Sequence, residues 1–439
     1  MSSTTALGRQ RSGTTVRLSG LAVVAFLFCA LSIELLFFYV QKLSVGGMQV
    51  RYLLTTVLAT AALGGLFVSA PRQASFTISF FHLKLAAVVG LLVFNAVGVA
   101  LLLGNFSPAT AVILLIQPGV FFFSLVALFR ARPLRLLGTV LAVCSTSSVV
   151  AVLQAFDFTP AWQLHGFFAE GIPTGYRLYG RVAGLTADPV RLSYIALLGA
   201  GVALGLIHAG QGPRRLLLAM LAINGAATIL SGTRSAALAL VAILVLSAFA
   251  RVRKSDRLAV AALLGIGLLV AYPAFTFITQ FGDGDLTSRD FSSMSRSVLL
   301  EAALHQIAAT PLGIGFGSFA DAAVNLDIYW DEYAQVARQA IGTFEPHNYL
   351  VNFAVYYGLQ GLFLILAFYY LLFRAAWRAS KDGRPSVVAA GWVALYCLVS
   401  FVVNVLVHNS GPFNGDTSLL TVAAAVVAVQ GRRVARPDP

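Results

Sequence analysis

Long runs of apolar residues dominate this chain, and short polar segments separate them. A bilayer core of about 30 Å requires about 20 apolar residues in a helix. By that measure the pattern predicts twelve membrane spans, near residues 19–41, 50–70, 82–104, 109–130, 134–156, 189–208, 214–232, 234–250, 257–279, 349–373, 386–408 and 416–431. The first run is too long for a signal-peptide core and lacks a small-residue cleavage site, so we expect an uncleaved helix. The pattern predicts an all-α, polytopic integral membrane protein, with residues 1–439 as a single transmembrane domain.

The composition supports this prediction and excludes a string of soluble domains. Of the 439 residues, 58% are hydrophobic and only 11% are charged. A soluble domain carries about 25% charged residues, which it needs to cover its surface. Most of the chain must therefore face lipid or other helices.

The net charge of +13 gives the chain an orientation. If both termini are cytoplasmic, the inner segments hold 21 of the 30 basic residues but only 3 of the 17 acidic ones, a balance of +18 inside against −5 outside. This asymmetry follows the positive-inside rule, and an odd number of spans would destroy it. The positive charge is thus explained by topology, and we expect no nucleic-acid partner.

Two predicted outer segments are longer than turns require, residues 157–188 and residues 280–347. The second is a large periplasmic loop between the ninth and tenth spans, and it is rich in aromatic and acidic residues. Loops of this length usually carry function or their own structure. Helical spacing from Arg296 to Ile307 predicts short helices within it, lying near the membrane interface as a mobile cover.

Six arginines break the charge rule because they fall on the acid-rich outer side: Arg181, Arg191, Arg234, Arg289, Arg296 and Arg338. Arg234 lies in a tight turn between two spans, where an unpaired guanidinium is costly. One interpretation is a structural ion pair of Arg234 with Asp188 or Glu170. The other is that several guanidiniums converge on a phosphate or diphosphate, which they bind bidentately.

His347 ends the long outer loop and precedes the tenth span. At a helix N-terminus its imidazole is expected to stay neutral at pH 7, as a general base for a sugar hydroxyl requires. A lone histidine in that position can equally be a cap or an interface residue. The nearby glycine-rich stretch at residues 311–317 follows no strand and precedes no GK[ST], so it predicts a hinge rather than a nucleotide loop.

Four motifs in order resemble one known family. Arg181 and Leu185 match an R-x3-L motif, which Asp188 and Pro189 follow. The sequence Ser231-Gly232-Thr233-Arg234 resembles a Ser-Arg turn before an apolar helix. The family with these motifs is the O-antigen ligase and O-antigen polymerase superfamily of bacterial inner-membrane glycosyltransferases.

The other two motifs lie farther along the chain. Ser295 and Arg296, followed by the glycines of residues 311–317, resemble the segment that leads to the family's glycine-rich hinge. His347 fits an H-x10-G signature, since ten residues separate it from Gly358. The motifs cover about residues 180–361, and the first five spans match in hydropathy alone.

The resemblance implies a glycosyltransferase C-like fold and a metal-independent, inverting transfer from a polyprenyl-diphosphate-linked glycan, with no cofactor. It implies that His347 is the catalytic base and that Arg234 and Arg296 are catalytic residues that stabilise the leaving diphosphate. Arg181, Asp188 and Asn348 are the expected substrate-binding residues. The resemblance leaves Arg191, Arg289 and Arg338 outside its motifs, as loop or headgroup contacts.

Three functions remain open at this stage. The first is an O-antigen ligase that moves an undecaprenyl-diphosphate-linked polysaccharide onto lipid A–core at the periplasmic face of the bacterial inner membrane. The second is a polymerase with the same donor and a lipid-linked glycan acceptor. The third is a polysaccharide transporter or flippase, which would need polar groups through the spans, where the sequence offers little besides Glu34. The ligase is favoured because its histidine signature is the one most associated with ligases.

Overall fold

The computed structural model describes residues 44–45, 48–49, 79–111, 115, 117–131, 133–168, 180–186, 188–251, 286–324, 346, 348–406 and 417–430. Two strands of two residues, Ser44–Val45 and Met48–Gln49, pair antiparallel. The rest of the regular structure in this part of the chain is helical. In chain order the helices are α1 Phe80–Leu102, α2 Pro108–Ala111, α3 Gln117–Ala131, α4 Pro133–Ala155, α5 Thr159–Phe168, α6 Pro189–His208, α7 Arg214–Leu230, α8 Arg234–Arg251, α9 Leu286–Ala309, α10 Phe319–Val324, α11 Tyr349–Ala379, α12 Pro385–Val405 and α13 Thr417–Gln430.

Five of these helices are long and apolar enough to cross a membrane, namely α1, α4, α6, α11 and α12. The protein is therefore an all-α, multi-pass membrane protein, as the hydropathy pattern predicts. The predicted spans at 189–208 and 134–156 agree with α6 and α4 to within one residue. The predicted spans at 19–41, 50–70 and 257–279 lie outside the described residues, so the count of twelve stays a prediction.

Helix α6 occupies the centre of the bundle, where it packs against α4, α7, α8 and α12. Nearly all of its residues are buried. Its glycines allow close packing, because a side chain at Gly201 would overlap Cys397 and one at Gly205 would overlap Val393. Small residues at helix contacts are typical of membrane bundles, where dispersion forces rather than water exclusion hold helices together.

The same contacts show that α6 and α12 run antiparallel. Gly201 faces Cys397 and Gly205 faces Val393, while Tyr194 stacks on Phe401 with ring centroids 6.4 Å apart. The start of α6 and the end of α12 therefore lie at one end of the bundle. The turn between α7 and α8 and the start of α11 lie there too. We call this the arginine end, because it carries Arg181 and Arg234.

The opposite end of the bundle is strongly basic. Described basic residues there are Lys84, Arg130, Arg135, Arg214, Arg215, Arg251, Arg374, Arg378, Lys381 and Arg384. Asp382 is the one acidic residue described at this end, and it pairs with Arg384 at 2.8 Å. The segregation of charge that the sequence predicts is thus present in the folded bundle.

The long segment after α8 contains a 24-residue helix, α9, and the short α10. The helical spacing from Arg296 to Ile307 lies within α9. The second half of α9 packs on α11, in a small core that includes Leu299, Ala302 and Val355. This part of the segment is packed onto the bundle along its apolar face.

Between α9 and α10, residues 311–317 form a segment of turns that we call the glycine strap. The strap pairs with a break in α11: Ile314 N donates to Val355 O at 2.9 Å, and Gly315 N donates to Tyr356 O at 2.9 Å. On its other side, Asn105 donates through Nδ2 to Ile314 O at 2.7 Å. The strap is therefore held by hydrogen bonds to α11 and to the loop after α1, where the sequence suggested a hinge.

The break in α11 occurs at Gly358, which has φ 75° and ψ 178°. Leu359 N donates to Pro311 O of the strap at 3.0 Å. The break thus exposes backbone groups of α11, and the strap satisfies them. A Cβ at Gly358 would lie 2.5 Å from the Leu312 carbonyl carbon, so both the conformation and the close contact require glycine.

We expect Gly358→Ala to lower the free energy of unfolding by more than about 1 kcal/mol, because it combines a strained φ with displacement of the strap. Thermal unfolding of the purified protein in lipid nanodiscs measures this loss. The control is Gly90→Ala in α1, where a new Cβ meets nothing within 4 Å. Equal unfolding temperatures for the two variants would contradict the role assigned to Gly358.

Candidate functional site

The loop at residues 181–186 contains the R-x3-L motif and is held on the end of α4 by buried polar side chains. Gln154 Oε1 accepts from Ala183 N at 3.2 Å and from Gly184 N at 2.9 Å. Its Nε2 donates to Gly184 O at 3.1 Å. Ser147 Oγ accepts from Leu185 N at 3.1 Å. The loop has no regular secondary structure, so these side chains replace the backbone partners that a helix would provide.

His165 also holds this loop, at the Gly184 carbonyl that Gln154 contacts. Its ring is fully buried, and Nδ1 lies 3.0 Å from Gly184 O. A carbonyl oxygen only accepts, so Nδ1 carries the hydrogen and Nε2 of the neutral ring is left as an acceptor. Burial lowers the pKa of His165, and the hydrogen bond to Gly184 O opposes this only in part. His165 is therefore neutral at pH 7.

The loop places Arg181 on the turn that precedes Arg234. Arg181 Nε donates to Ser231 O at 3.0 Å. The backbone also joins the two segments, with Val182 N donating to Leu230 O at 3.4 Å. Two motifs about fifty residues apart in sequence thus form one structural unit.

The turn itself is shaped to receive Arg181. Gly232 has φ 67°, and a Cβ there would lie 3.1 Å from Arg181 Nε and 3.2 Å from its Cγ. The Ser231 hydroxyl donates to Thr228 O at 2.7 Å and accepts from Thr233 N at 3.2 Å, which fixes the turn from within. The glycine of the Ser-Arg turn is thus needed both for its backbone conformation and for the side chain that lies over it.

Arg234 begins α8 and its side chain is exposed. The first turn of a helix presents unpaired N–H groups and the positive end of the helix dipole. Among the residues that the structure describes, no ion pair of Arg234 is recorded. The first turn of α8 is therefore a positive and accessible surface at the arginine end.

Asp188 has a structural role that accounts for its side chain. It caps α6, accepting from Arg191 N at 2.9 Å, and its carboxylate lies 3.3 Å from Arg191 Nε. An N-cap of this kind contributes about 1 kcal/mol to helix stability. The ion pair suggested for Arg234 with Asp188 is thus replaced by a pair with Arg191, and Glu170 lies outside the described residues. Substrate binding by Asp188 stays a prediction.

Asn348 is also a helix cap. Its Oδ1 accepts from Leu350 N at 3.0 Å and from Val351 N at 3.2 Å, and so fixes the first turn of α11. His347 itself lies outside the described residues, as does Arg338. The cap fixes the backbone one residue after His347, and a contact of Asn348 with substrate stays a prediction.

The spacing of ten residues between His347 and Gly358 has a physical counterpart. Gly358 is the break in α11 at which the strap forms its hydrogen bonds, and the strap follows α9 directly in the chain. Helix α9 contains Arg296 and Arg289, whose side chains lie outside the described part of the chain. The strap therefore fixes the helix that contains Arg296 against the helix that follows His347.

Two residues of this site were missed by sequence reasoning, Gln154 and His165. Gln154 lies near the end of an apolar run, and His165 lies in the first outer segment. A buried amide and imidazole at a predicted membrane interface are signals of backbone groups that need partners. The partners of Gln154, however, are about thirty residues away in sequence, so the spacing of residues does not reveal them.

A comparison with protein families finds one match at this site. The O-antigen ligase family matches residues 219–366. This match confirms the resemblance to the O-antigen ligase and polymerase superfamily. The matched segment runs from α7 through α8, α9 and the strap into the first half of α11. It includes Arg234, Arg296 and His347, whereas the Arg181 loop lies before it.

The family match supports an activity of the O-antigen ligase or polymerase type, acting on lipid-linked polysaccharides. No protein with curated annotation matches the chain. Within the described residues, no group of three or more His, Cys, Asp or Glu side chains is placed to hold a metal ion.

The lowered pKa of His165 predicts a pH dependence of stability. The unfolded chain binds the proton more readily than the folded one, so the free energy of unfolding falls as the pH falls below about 6.5. One such proton contributes a slope of at most about 1.4 kcal/mol per pH unit.

Thermal unfolding between pH 7.5 and pH 5 measures this slope, and His165→Gln should reduce it. His305→Gln, at an exposed position on α9, is the control. An unchanged slope in His165→Gln would refute the assignment.

Proposed function

We propose that the protein is a glycosyltransferase that takes a glycan from an undecaprenyl-diphosphate carrier, and that the arginine end of the bundle binds the diphosphate. One observation carries the proposal: Arg181 donates to Ser231 O in the turn that leads to Arg234. Two guanidiniums from separate motifs are thereby brought to one surface. Such a pair fits the charge and the planar oxygens of a diphosphate.

The electrostatics of the first turn of α8 support the same assignment. The unpaired N–H groups and the dipole of α8 favour an anion near Arg234. The turn before Arg234 contains the hydroxyl residues Ser231 and Thr233, and the carboxylate of Asp188 is paired with Arg191. A negative ligand therefore meets positive charge without a competing carboxylate in the turn.

The proposed reaction is a single displacement at the anomeric carbon. The oxygen of an acceptor hydroxyl forms the new bond to that carbon while His347 takes the hydroxyl proton. The bond from the anomeric carbon to the diphosphate oxygen breaks, and its electron pair leaves with the diphosphate. Attack opposite the leaving group inverts the configuration. Arg234 and Arg296, with Arg181, stabilise the charge that develops on the leaving diphosphate.

The roles of the remaining residues follow from their positions. Asn348 fixes the backbone next to His347, and Asp188 fixes the start of α6 beside the Arg181 loop. We propose that both support the substrate site in this way. No metal or other cofactor is required, since the arginines supply the positive charge. The proposed donor is undecaprenyl-diphosphate-linked polysaccharide, held at the protein–lipid boundary.

The proposed location is the bacterial inner membrane, with both termini cytoplasmic and the site on the periplasmic face. The basic end of the bundle supports this orientation, because basic residues are retained on the cytoplasmic side. Residues 280–347 would then form the large periplasmic loop, between the ninth and tenth of twelve spans. A lipid-linked glycan that has reached the periplasmic leaflet would meet the arginines directly.

The acceptor separates two enzymes that share this donor. We propose lipid A–core, which makes the protein an O-antigen ligase. If the acceptor is a lipid-linked glycan, the protein is a polymerase of O-antigen or exopolysaccharide. Supplying purified lipid A–core as the only added acceptor decides between them, since a ligase forms glycan-bearing lipid A–core and a polymerase lengthens the lipid-linked glycan.

A polysaccharide transporter or flippase is the weaker alternative. Such a protein needs a polar route through the bundle. In the described bundle the centre is closed by α6, whose residues from Leu192 to Leu206 are all buried. Glu34 lies outside the described residues. Movement of glycan across sealed vesicles by a His347→Ala variant would favour the transporter.

We expect His347→Ala to lower kcat by about 10²- to 10⁴-fold, the usual contribution of a general base, while donor affinity changes little.

Arg234→Ala should weaken donor binding and transfer and leave acceptor affinity unchanged. Initial rates of glycan transfer at varied donor and acceptor concentrations separate these effects.

The control is Arg374→Ala, which removes an exposed guanidinium from the opposite, basic end of the bundle. It should retain donor affinity to within about threefold, since it lies far from the proposed site. Full transfer by His347→Ala would refute the assignment of the base. An equal loss of donor and acceptor binding in Arg234→Ala would refute diphosphate binding.

A further inference from the structure

A second feature of the arginine end is a buried asparagine in α12. Asn404 lies near the end of α12, with 1% of its surface exposed. Neither its Nδ2 nor its Oδ1 has a hydrogen-bond partner among the residues that the structure describes. An unpaired buried amide destabilises the folded state, and more so in a bilayer. Such a group needs either a structural reason or a ligand.

Another asparagine shows how this bundle treats a structural amide. Asn224 on α7 is also fully buried. Its Oδ1 accepts from Ser148 Oγ at 2.8 Å, and its Nδ2 donates to Ser145 Oγ at 2.8 Å and to Met220 O at 2.7 Å. The two asparagines differ in this respect, since both polar atoms of Asn224 have partners, whereas neither polar atom of Asn404 has one among the described residues.

The helix register places Asn404 near the proposed diphosphate site. Residues of α6 and α12 face each other antiparallel, with Tyr194 stacked on Phe401, so Asn404 lies close to the first turns of α6. Helix α12 also packs against α8, in a core where Ala236 and Val403 take part. Asn404 follows Val403, and Ala236 is two residues after Arg234.

Two hydroxyl groups beside Arg234 share this property. Thr233 and Ser235 are 4% and 3% exposed. Their hydroxyl oxygens are buried, and no partner is recorded for either in the part of the chain that the structure describes. These buried neutral groups thus lie at the start of α8 and near the end of α12, two helices that pack against each other.

The chemistry of these groups indicates their ligand. A diphosphate has only acceptor oxygens at neutral pH, so it could pair with Asn404 Nδ2 but would leave Oδ1 unsatisfied. A sugar hydroxyl or an acetamido group both donates and accepts, so it can satisfy both atoms of the amide. The neighbouring hydroxyls of Thr233 and Ser235 can also donate and accept.

We infer that Asn404, with Thr233 and Ser235, forms a neutral subsite for the donor sugar adjacent to the diphosphate, and that Asn404 is a specificity-determining residue. The inference rests on the proposed function, because it assumes that the diphosphate lies at Arg234. It assigns different groups of the site to the two parts of the donor. The arginines bind the diphosphate carrier, and the neutral groups recognise the sugar that the carrier bears.

The test compares two lipids with the full-length protein in nanodiscs. One is undecaprenyl-diphosphate-linked glycan, and the other is undecaprenyl diphosphate without sugar. We expect Asn404→Leu, which keeps the side-chain size, to weaken binding of the glycan-bearing lipid by about 10- to 100-fold. Binding of the bare lipid should stay within about twofold. Thr233→Val should show the same pattern with a smaller effect.

Asn224→Leu is the matched control, because it replaces a buried asparagine whose polar atoms are paired. It should lower the unfolding temperature, since it leaves Ser145 and Ser148 without partners, whereas Asn404→Leu should keep or raise it. Unchanged binding of the glycan-bearing lipid in Asn404→Leu would overturn the inference. Equal weakening of both lipids would overturn it too, because Asn404 would then contact the diphosphate.

The two proposals fail in different ways. If the wild-type protein prefers the glycan-bearing lipid through Asn404 but transfers no glycan to any acceptor, the proposed activity is wrong and the sugar subsite stands. If the wild-type protein transfers glycan and Asn404→Leu does so with unchanged donor kcat/KM, the activity stands and the subsite is wrong.

Discussion

The contact between Arg181 and the Ser231 carbonyl is the interaction on which the arrangement of the site depends. It joins the irregular loop before α6 to the turn before α8. The loop has few backbone partners of its own, so Gln154 and His165 must hold it in place. The turn in turn needs Gly232, because another residue would meet both an unfavourable φ and the Arg181 side chain. Together with the backbone bond from Val182 N to Leu230 O, this contact joins the loop that Gln154 and His165 hold to the turn that needs Gly232.

The buried polar groups of this bundle differ in whether they have a hydrogen-bond partner among the described residues. In a membrane interior, backbone and side-chain polar groups need partners inside the protein. The break at Gly358 follows this rule, since the glycine strap satisfies the freed backbone groups of α11. Asn224 follows it as well. Asn404 departs from it, at the end of the bundle where Arg181 and Arg234 lie, and this departure is the physical basis for placing a polar ligand there.

Much of the fold could be predicted because hydropathy alone determines which segments can cross a bilayer. The bounds of α4 and α6 are recovered from sequence to within a residue, and the charge pattern gives the basic end of the bundle. Arg181 and Arg234 are identifiable because they violate that pattern. The supporting roles of Gln154 and His165 are not identifiable in this way, because their partners in the loop lie 30 and 19 residues away in sequence. The cap at Asp188 is local, since its partner Arg191 is three residues away.

The most direct test of the account is a double-mutant cycle between Arg181 and Arg234 on the binding of undecaprenyl diphosphate. The dissociation constant is measured for the wild-type protein, Arg181→Ala, Arg234→Ala and the double variant at one ionic strength. If the two arginines form one site, the losses are not additive, and the coupling energy exceeds about 0.5 kcal/mol. Losses that add to within that value would show that the two arginines act independently, and would contradict the account.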